Sequence, residues 1–419
     1  LSVLGIIAEF NPFHKGHEHL INTAKKNGSF DAVVCVMSGN FSQRAEPTVC
    51  DKWSRAEMAL QGGVDLVIEL PFGFAVRSAY YFARGAVQLL ARTGVITHLG
   101  FGSENGQLDP LLKIASLLAN EPDEYRNQLK DLLGQGLSYP AARSRALQHY
   151  FGPQAADLAE LMNGPNNILA IEYLHNIIQD QINLQPFTIS RQGDGYHSQQ
   201  ISGSGFSSAG AIRTALLNDP VITEKIEQAL PESSRQILER EISMGRAPIS
   251  PNALEQIVLA NLRSMSLSSL SQIYEISEGL EYRIKEASLH SGTLEELRRK
   301  IKSKRYSLTR INRILIYSLF HLTKEQIDIL DQHGPQYFHI LAFSSTGRKI
   351  LQKIKNKSSL PILSRGSQVK KLSQEQGSSE AGDLLALDIL ASDIYSLLSP
   401  ASAMRGGGKD FLTSSLFIG

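Results

Sequence analysis

Cysteine is scarce in this chain: Cys35 and Cys50 are the only two among 419 residues. Two thiols cannot staple a chain of this length, and they make no metal-binding spacing. A disulfide framework and a cysteine-based zinc site are therefore excluded in favour of two reduced thiols. Long apolar runs are lacking as well, and none approaches the ~18 residues that span a bilayer. The apolar start leads straight into a polar motif, without a basic segment before it, so no secretory leader and a cytoplasmic location are expected. There is no internal repeat and no low-complexity segment. What remains is ordinary globular composition, 42% hydrophobic and 20% charged, enough for a sizeable core and two or three domains.

Overall charge is also nearly absent, at +1, but this hides an asymmetry. Arg298 to Lys371 holds 17 Lys/Arg against three Asp/Glu, leaving 25 against 38 elsewhere. A basic segment on an otherwise acidic chain is the footprint of a polyanion-binding region. For the run alone, solvated helix faces are the favoured explanation.

Apolar, β-branched runs at Ser2–Ala8, Asp31–Met37, Val64–Leu70 and Thr97–Phe101 predict strands. Helical patterns at Gly16–Lys26, Lys52–Gln61 and Ser78–Thr93 separate them. This alternation predicts an α/β protein with a Rossmann-like, doubly wound parallel sheet. Helices are expected at Leu111–Leu133, Ala141–Tyr150 and Ile168–Gln179, then a short strand at Phe187–Ser190. Alternation stops near residue 220. The expected organisation is a catalytic α/β domain over residues 1–220 with a helical insertion, then a mainly helical, basic domain over 221–419.

His14-Lys15-Gly16-His17 falls where the first strand ends and the first helix begins. A helix N-terminus directs unpaired N–H groups at anions, and a glycine lets a phosphate approach the backbone. Two imidazoles there can donate to phosphoryl oxygens as charge builds. The functional reading is ATP binding, with His14 and His17 stabilising the pentavalent state at the α-phosphate and Gly16 leaving room for the nucleotide. The structural alternative is two solvated histidines capping a helix. Ser207-Ser208-Ala209-Gly210-Ala211-Ile212-Arg213 opens a later helix, and Ser208 and Arg213 make it a second phosphate site or a plain N-cap. Asp51-Lys52-Trp53 either lines a pocket, with Lys52 on an anion, or is an N-cap followed by a core tryptophan. No metal-ligand cluster is evident, so any Mg²⁺ is expected to arrive with ATP.

The histidine motif with a Ser-rich turn and arginine resembles the nucleotidyltransferase superfamily. A closer likeness joins Glu9-Phe10-Asn11-Pro12-Phe13-His14-Lys15-Gly16-His17, Met37-Ser38-Gly39-Asn40-Phe41, Gln43-Arg44, Asp51-Lys52-Trp53-Ser54-Arg55, Glu69-Leu70-Pro71-Phe72, Phe101-Gly102-Ser103-Glu104, Pro165-Asn166-Asn167-Ile168-Leu169 and Arg191-Gln192-Gly193. Together these resemble the bacterial tRNA(Met) cytidine acetate ligase family, and the likeness runs from end to end. It implies a ligase that makes acetyl-adenylate and pyrophosphate from acetate and ATP. The acetyl group then passes to the exocyclic amine of the wobble cytidine of elongator tRNA(Met). It also implies an ATP site built from Ile7-Ala8-Glu9-Phe10-Asn11-Pro12-Phe13-His14-Lys15-Gly16-His17-Glu18-His19-Leu20, with Gly102, Asn166 or Asn167, and Arg191. Two positions depart from pattern: Ala45, where this family more often has glycine, and Gly210, where the superfamily usually has a hydroxyl residue.

With tRNA as the implied partner, Lys302, Lys304, Arg305, Arg310 and Arg313 become candidate phosphate contacts, and Tyr306 a candidate stacking platform. Two rival readings stand beside this one. One is a nucleotidyltransferase that adenylylates a small phosphorylated substrate. The other is an RNA-binding protein that senses ATP without turnover.

Overall fold

Ala32–Ser38 is apolar and β-branched for most of its length and is buried at every position, the signature of a strand covered on both faces. It lies at the centre of the sheet in a computed structural model that describes residues 1–152, 158, 161–162, 164–190, 206–304 and 306–419. The strands are β1 (Val3–Ala8), β2 (Ala32–Ser38), β3 (Leu66–Leu70), β4 (His98–Ser103), β5 (Gln185–Ser190), β6 (Phe338–Ser344), β7 (Ile362–Leu363) and β8 (Leu416–Ile418). Their order is β5-β4-β1-β2-β3-β6-β7, with β8 also on β6. The chain winds outward from β1 through β2 to β3, then returns to place β4 on the other side of β1. That reversal opens a crevice beyond the C-terminal ends of β1 and β4, where ligands bind in sheets of this kind.

Alternate residues of the central strands feed two different cores. Val3, Val34, Val36, Leu66 and Ile68 point into one; Leu4, Ile6, Val33, Cys35, Met37 and Val67 point into the other. Helices cover both faces, as a doubly wound α/β fold requires. Cys35 and Cys50 are buried free thiols that burial pushes well above the ordinary range, which makes them inert.

The structure corrects three expectations. The sheet is mixed, because β6 runs antiparallel to β3. The segment after residue 220 is mostly helical but returns β6, β7 and β8 to the N-terminal sheet. A third core, with Ile249, Leu262, Ile284 and Ile311, forms within its helices. The pattern over Leu111–Leu133 is two helices, Leu108–Asn120 and Asp123–Gly134. Pro122 starts the second, and Glu121 at φ +38° turns the chain between them. No helix among the described residues is long and apolar enough to cross a membrane.

Candidate active site

The histidine loop is built by its own helix. His14 is the N-cap of Lys15–Gly28, and its Nδ1 accepts from the Gly16 N–H at 3.0 Å. His17 Nδ1 accepts in turn from the His14 N–H at 3.2 Å, completing a capping box. A neutral imidazole that accepts at Nδ1 carries its proton on Nε2. Both rings are thereby set as Nε2–H donors. Their centroids lie 3.8 Å apart, and His17 also packs edge-to-face with Phe10 and tilted against Phe13.

These histidines line a cavity of about 550 Å³ at the β1/β4 crevice, a size suited to a nucleotide. Of the sequence-predicted residues, Ile7, Ala8, Glu9, Phe10, Asn11, Gly16, His19, Leu20, Gly102, Asn166, Ser208 and Arg213 line it as well. Pro12, Phe13, Lys15, Glu18 and Asn167 do not. Phe13 is fully buried in the core. The two asparagines are separated by helix rotation: Asn166 faces the cavity and donates to Glu104 Oε1, whereas Asn167 is buried and accepts from the Glu104 N–H at 3.0 Å. Asn167 therefore positions the loop after β4. Arg191 and Arg305 lie outside the described residues.

Gly16 lines the cavity and also lies against the capping ring of His14. A Cβ there would stand 2.8 Å from His14 Cε1 and 3.0 Å from His14 Nδ1. The space is taken first by the imidazole of His14. Gly16→Ala should therefore leave stability nearly unchanged but displace that ring, and nucleotide-dependent turnover should fall by about 10- to 100-fold. Steady-state kinetics beside a thermal melt check both parts.

Ser208 caps the Ala209–Asn218 helix through the Ala211 N–H at 3.1 Å. Arg213 reaches across the cavity and donates to the Asn11 carbonyl at 2.7 Å, locking the serine turn to the histidine loop. At Gly210 a Cβ would come no nearer than 3.7 Å to Ser208 Oγ, so a hydroxyl side chain would fit there.

Arg55 and Glu69 are two supports that sequence motifs flagged without revealing their roles. Arg55 is completely buried and donates to the carbonyls of Glu9, Ser38, Gly39 and Cys50. It ties together the ends of β1 and β2. Lys52 does not reach the cavity. It is buried between Glu69, at 2.9 Å, and Asp410, at 2.5 Å. His339 Nδ1 lies 2.7 Å from Glu69. Asp51 is the N-cap of Lys52–Gln61, and Trp53 is half-buried against the core and not within it. Glu69, His339 and Asp410 have metal-like spacing, but the cation between the two carboxylates is the Lys52 ammonium.

In the basic segment Lys302 and Lys304 are exposed. Arg310 and Arg313 are both paired with Glu275, at 3.3 and 3.8 Å. Tyr306 is buried in the helical core under the Arg310 guanidinium. It is not available for base stacking, a correction that follows from its apolar ring and the adjacent core.

A Rossmann-like sheet with a paired-histidine loop at its crevice defines a nucleotidyltransferase, and the HIGH Nucleotidyl Transferase family model matches residues 1–410. A tRNA(Met) cytidine acetate ligase of Syntrophomonas wolfei is 56% identical over 99% of both chains. One of Halothermothrix orenii is 40% identical over 98% of both. The crystal structure of Thermotoga maritima TmcAL bound with alpha-thio ATP superposes with a TM-score of 0.91 over 100% of both chains, at 36% identity. The chain belongs to the tRNA(Met) cytidine acetate ligase family.

Proposed function

We propose that the cavity binds ATP with its α-phosphate against His14 and His17. Acetate attacks that phosphorus to give acetyl-adenylate and pyrophosphate. The acetyl group then passes to the exocyclic amine of the wobble cytidine of elongator tRNA(Met). The observation that carries this reading is the capping box. Each Nδ1 is occupied by a backbone N–H, so both rings present Nε2–H donors for charge developing on the phosphoryl oxygens. Acetate is already an anion and needs no base for this first step; the site has to orient and neutralise. Arg213 lines the same cavity and adds a fixed positive charge.

Any Mg²⁺ would arrive with ATP, and Glu9, which lines the cavity beside the histidine loop, would hold it through one of its waters and help neutralise the phosphates. Exposed Lys302 and Lys304, with Arg299 and Lys300 on the preceding helix, contact tRNA phosphates. Arg310 and Arg313 maintain the surface through Glu275. A reaction on tRNA places the protein in the cytoplasm.

The test is pyrophosphate exchange into ATP with and without acetate, alongside acetylcytidine in added tRNA(Met). Exchange that requires acetate, with acetylcytidine in the tRNA, is the expected result. Exchange independent of acetate would mark a plain nucleotidyltransferase. Binding of ATP and tRNA without any exchange would mark a sensor.

A further inference from the structure

The second half of the reaction needs a group that the histidines cannot supply. An exocyclic amine loses a proton as it is acylated. His14 and His17 each accept at Nδ1 from a backbone N–H and so carry their protons at Nε2, which makes them donors. Among the described residues, the proton acceptors that remain in the cavity lining are His19, whose Nε2 is turned to Thr23 Oγ1 on its own helix at 3.5 Å, and two carboxylates, Glu9 and Glu46. Glu9 sits on the β1 side, and its Oε1 accepts from the Gln43 N–H at 2.6 Å.

Glu46 lies on the other side. It closes a tight hairpin in which the Ser42 N–H donates to the Glu46 carbonyl and the Ala45 N–H to the Ser42 carbonyl, both at 2.8 Å. Phe41 and Pro47 bridge its base. Phe41 and Ala45 pack into the C-terminal helical core, so the hairpin is where the basic half meets the nucleotide cavity. Pro251, from that same half, also lines the cavity. Arg298, the first residue of the basic segment, acts electrostatically on Glu46. Glu46 is only half-exposed, and its carboxylate has no hydrogen-bond or ion-pair partner among the described residues.

We infer that Glu46 is a catalytic residue of acetyl transfer: it receives the cytidine amine and takes its proton. This rests on the acetyl-adenylate reading above. The N4 lone pair adds to the acetyl carbonyl carbon and forms the C–N bond. The C–O bond to the phosphate breaks, AMP leaves with that electron pair, and the N4 proton passes to a Glu46 oxygen and on to water. A carboxylate matches the donor edge of cytosine at N4. It would face an acceptor at the corresponding position of uridine, so the same side chain discriminates between the two pyrimidines.

The experiment uses full-length Glu46→Gln and Glu46→Asp with ATP, acetate and tRNA(Met). In Glu46→Gln, acetate-dependent pyrophosphate exchange and tRNA affinity should stay within about threefold of the parent, while single-turnover acetylcytidine formation falls by about 100-fold or more. Glu46→Asp should recover part of the transfer rate, as a shorter carboxylate still accepts a proton. Transfer by Glu46→Gln within about threefold of the parent, or exchange falling in parallel with transfer, would overturn the assignment. A parent enzyme without acetate-dependent exchange would instead overturn the acetyl-adenylate reading, and this role along with it.

Discussion

Replacing His17 with alanine is expected to lower acetate-dependent pyrophosphate exchange by about 10²- to 10³-fold while tRNA affinity is retained. The ring is over-determined: its Nδ1 holds the His14 N–H, it stacks on His14, and Phe10 and Phe13 pack against it. Such preorganisation is what gives a donor its value, because nothing has to move when charge develops. The structural cost of removal is smaller, one cap hydrogen bond at about 1 kcal/mol. Activity should therefore collapse in a protein that melts close to the parent temperature. His14→Asn gives a complementary control, since asparagine is a good N-cap but its shorter amide cannot put an N–H where the imidazole Nε2–H stands. It should retain the helix and lose exchange. Loss of tRNA binding in His17→Ala would contradict the separation between a nucleotide crevice at β1/β4 and a basic surface on the C-terminal helices. A fall in exchange of less than about tenfold would contradict the donor role of His17.

The part of this site that is local in sequence was legible. β1, the histidine loop and the following helix occupy one continuous stretch, and strand, cap and helix signals each act over a few residues. The crevice followed from alternation of strands and helices. What escaped was set by distance or rotation. β6 joins β3 from some 270 residues away, and nothing in Phe338–Ser344 distinguishes a sheet strand from a buried apolar helix segment. Asn166 and Asn167 differ only in which way a helix turns them. The packing of His14 against Gly16 escaped because that ring folds back on the glycine only once the cap forms. Ala45 has a physical explanation that composition did not provide: it sits at φ +59°, where glycine is favoured. The left-handed backbone costs alanine about 1–2 kcal/mol. Burying its methyl in the helical core returns roughly 0.8 kcal/mol, and alanine's smaller unfolded-state entropy about 0.4–1 more. These nearly balance, so alanine is tolerated.

The least legible feature is also the one with the largest expected stability effect. Lys52 lies between two carboxylates, one 17 and the other 358 residues away, and all three side chains are almost wholly buried. Burial alone would push the Glu69 carboxyl up and the Lys52 ammonium down. The attraction between them, joined by Asp410 on the lysine and His339 on the glutamate, outweighs it. Glu69 is held down at about 2, and Lys52 stays above its ordinary range. Removing the cation by Lys52→Met leaves buried negative charge without compensation, which should cost about 3–5 kcal/mol in urea unfolding at pH 7. The pH dependence gives this its sign. In the parent, Glu69 is depressed below its unfolded value of about 4.3, so its contribution is present above that pH and is lost as pH falls through about 2. In Lys52→Met, burial acts on Glu69 with only His339 left to oppose it and moves it up from its parent value, so the penalty is greatest at neutral pH and shrinks as Glu69 takes up a proton on acidification. The gap between parent and variant should therefore narrow as pH falls from 7 toward 4. Adding Glu69→Gln to the variant should recover part of the loss at pH 7. Activity should fall with stability, because this cluster anchors the start of the Lys52–Gln61 helix. There the Lys52 N–H holds Asn40 and the Arg55 guanidinium holds the ends of β1 and β2. A gap that stayed constant from pH 7 to pH 4 would show that the lost stability comes from packing around the lysine stem and not from its charge.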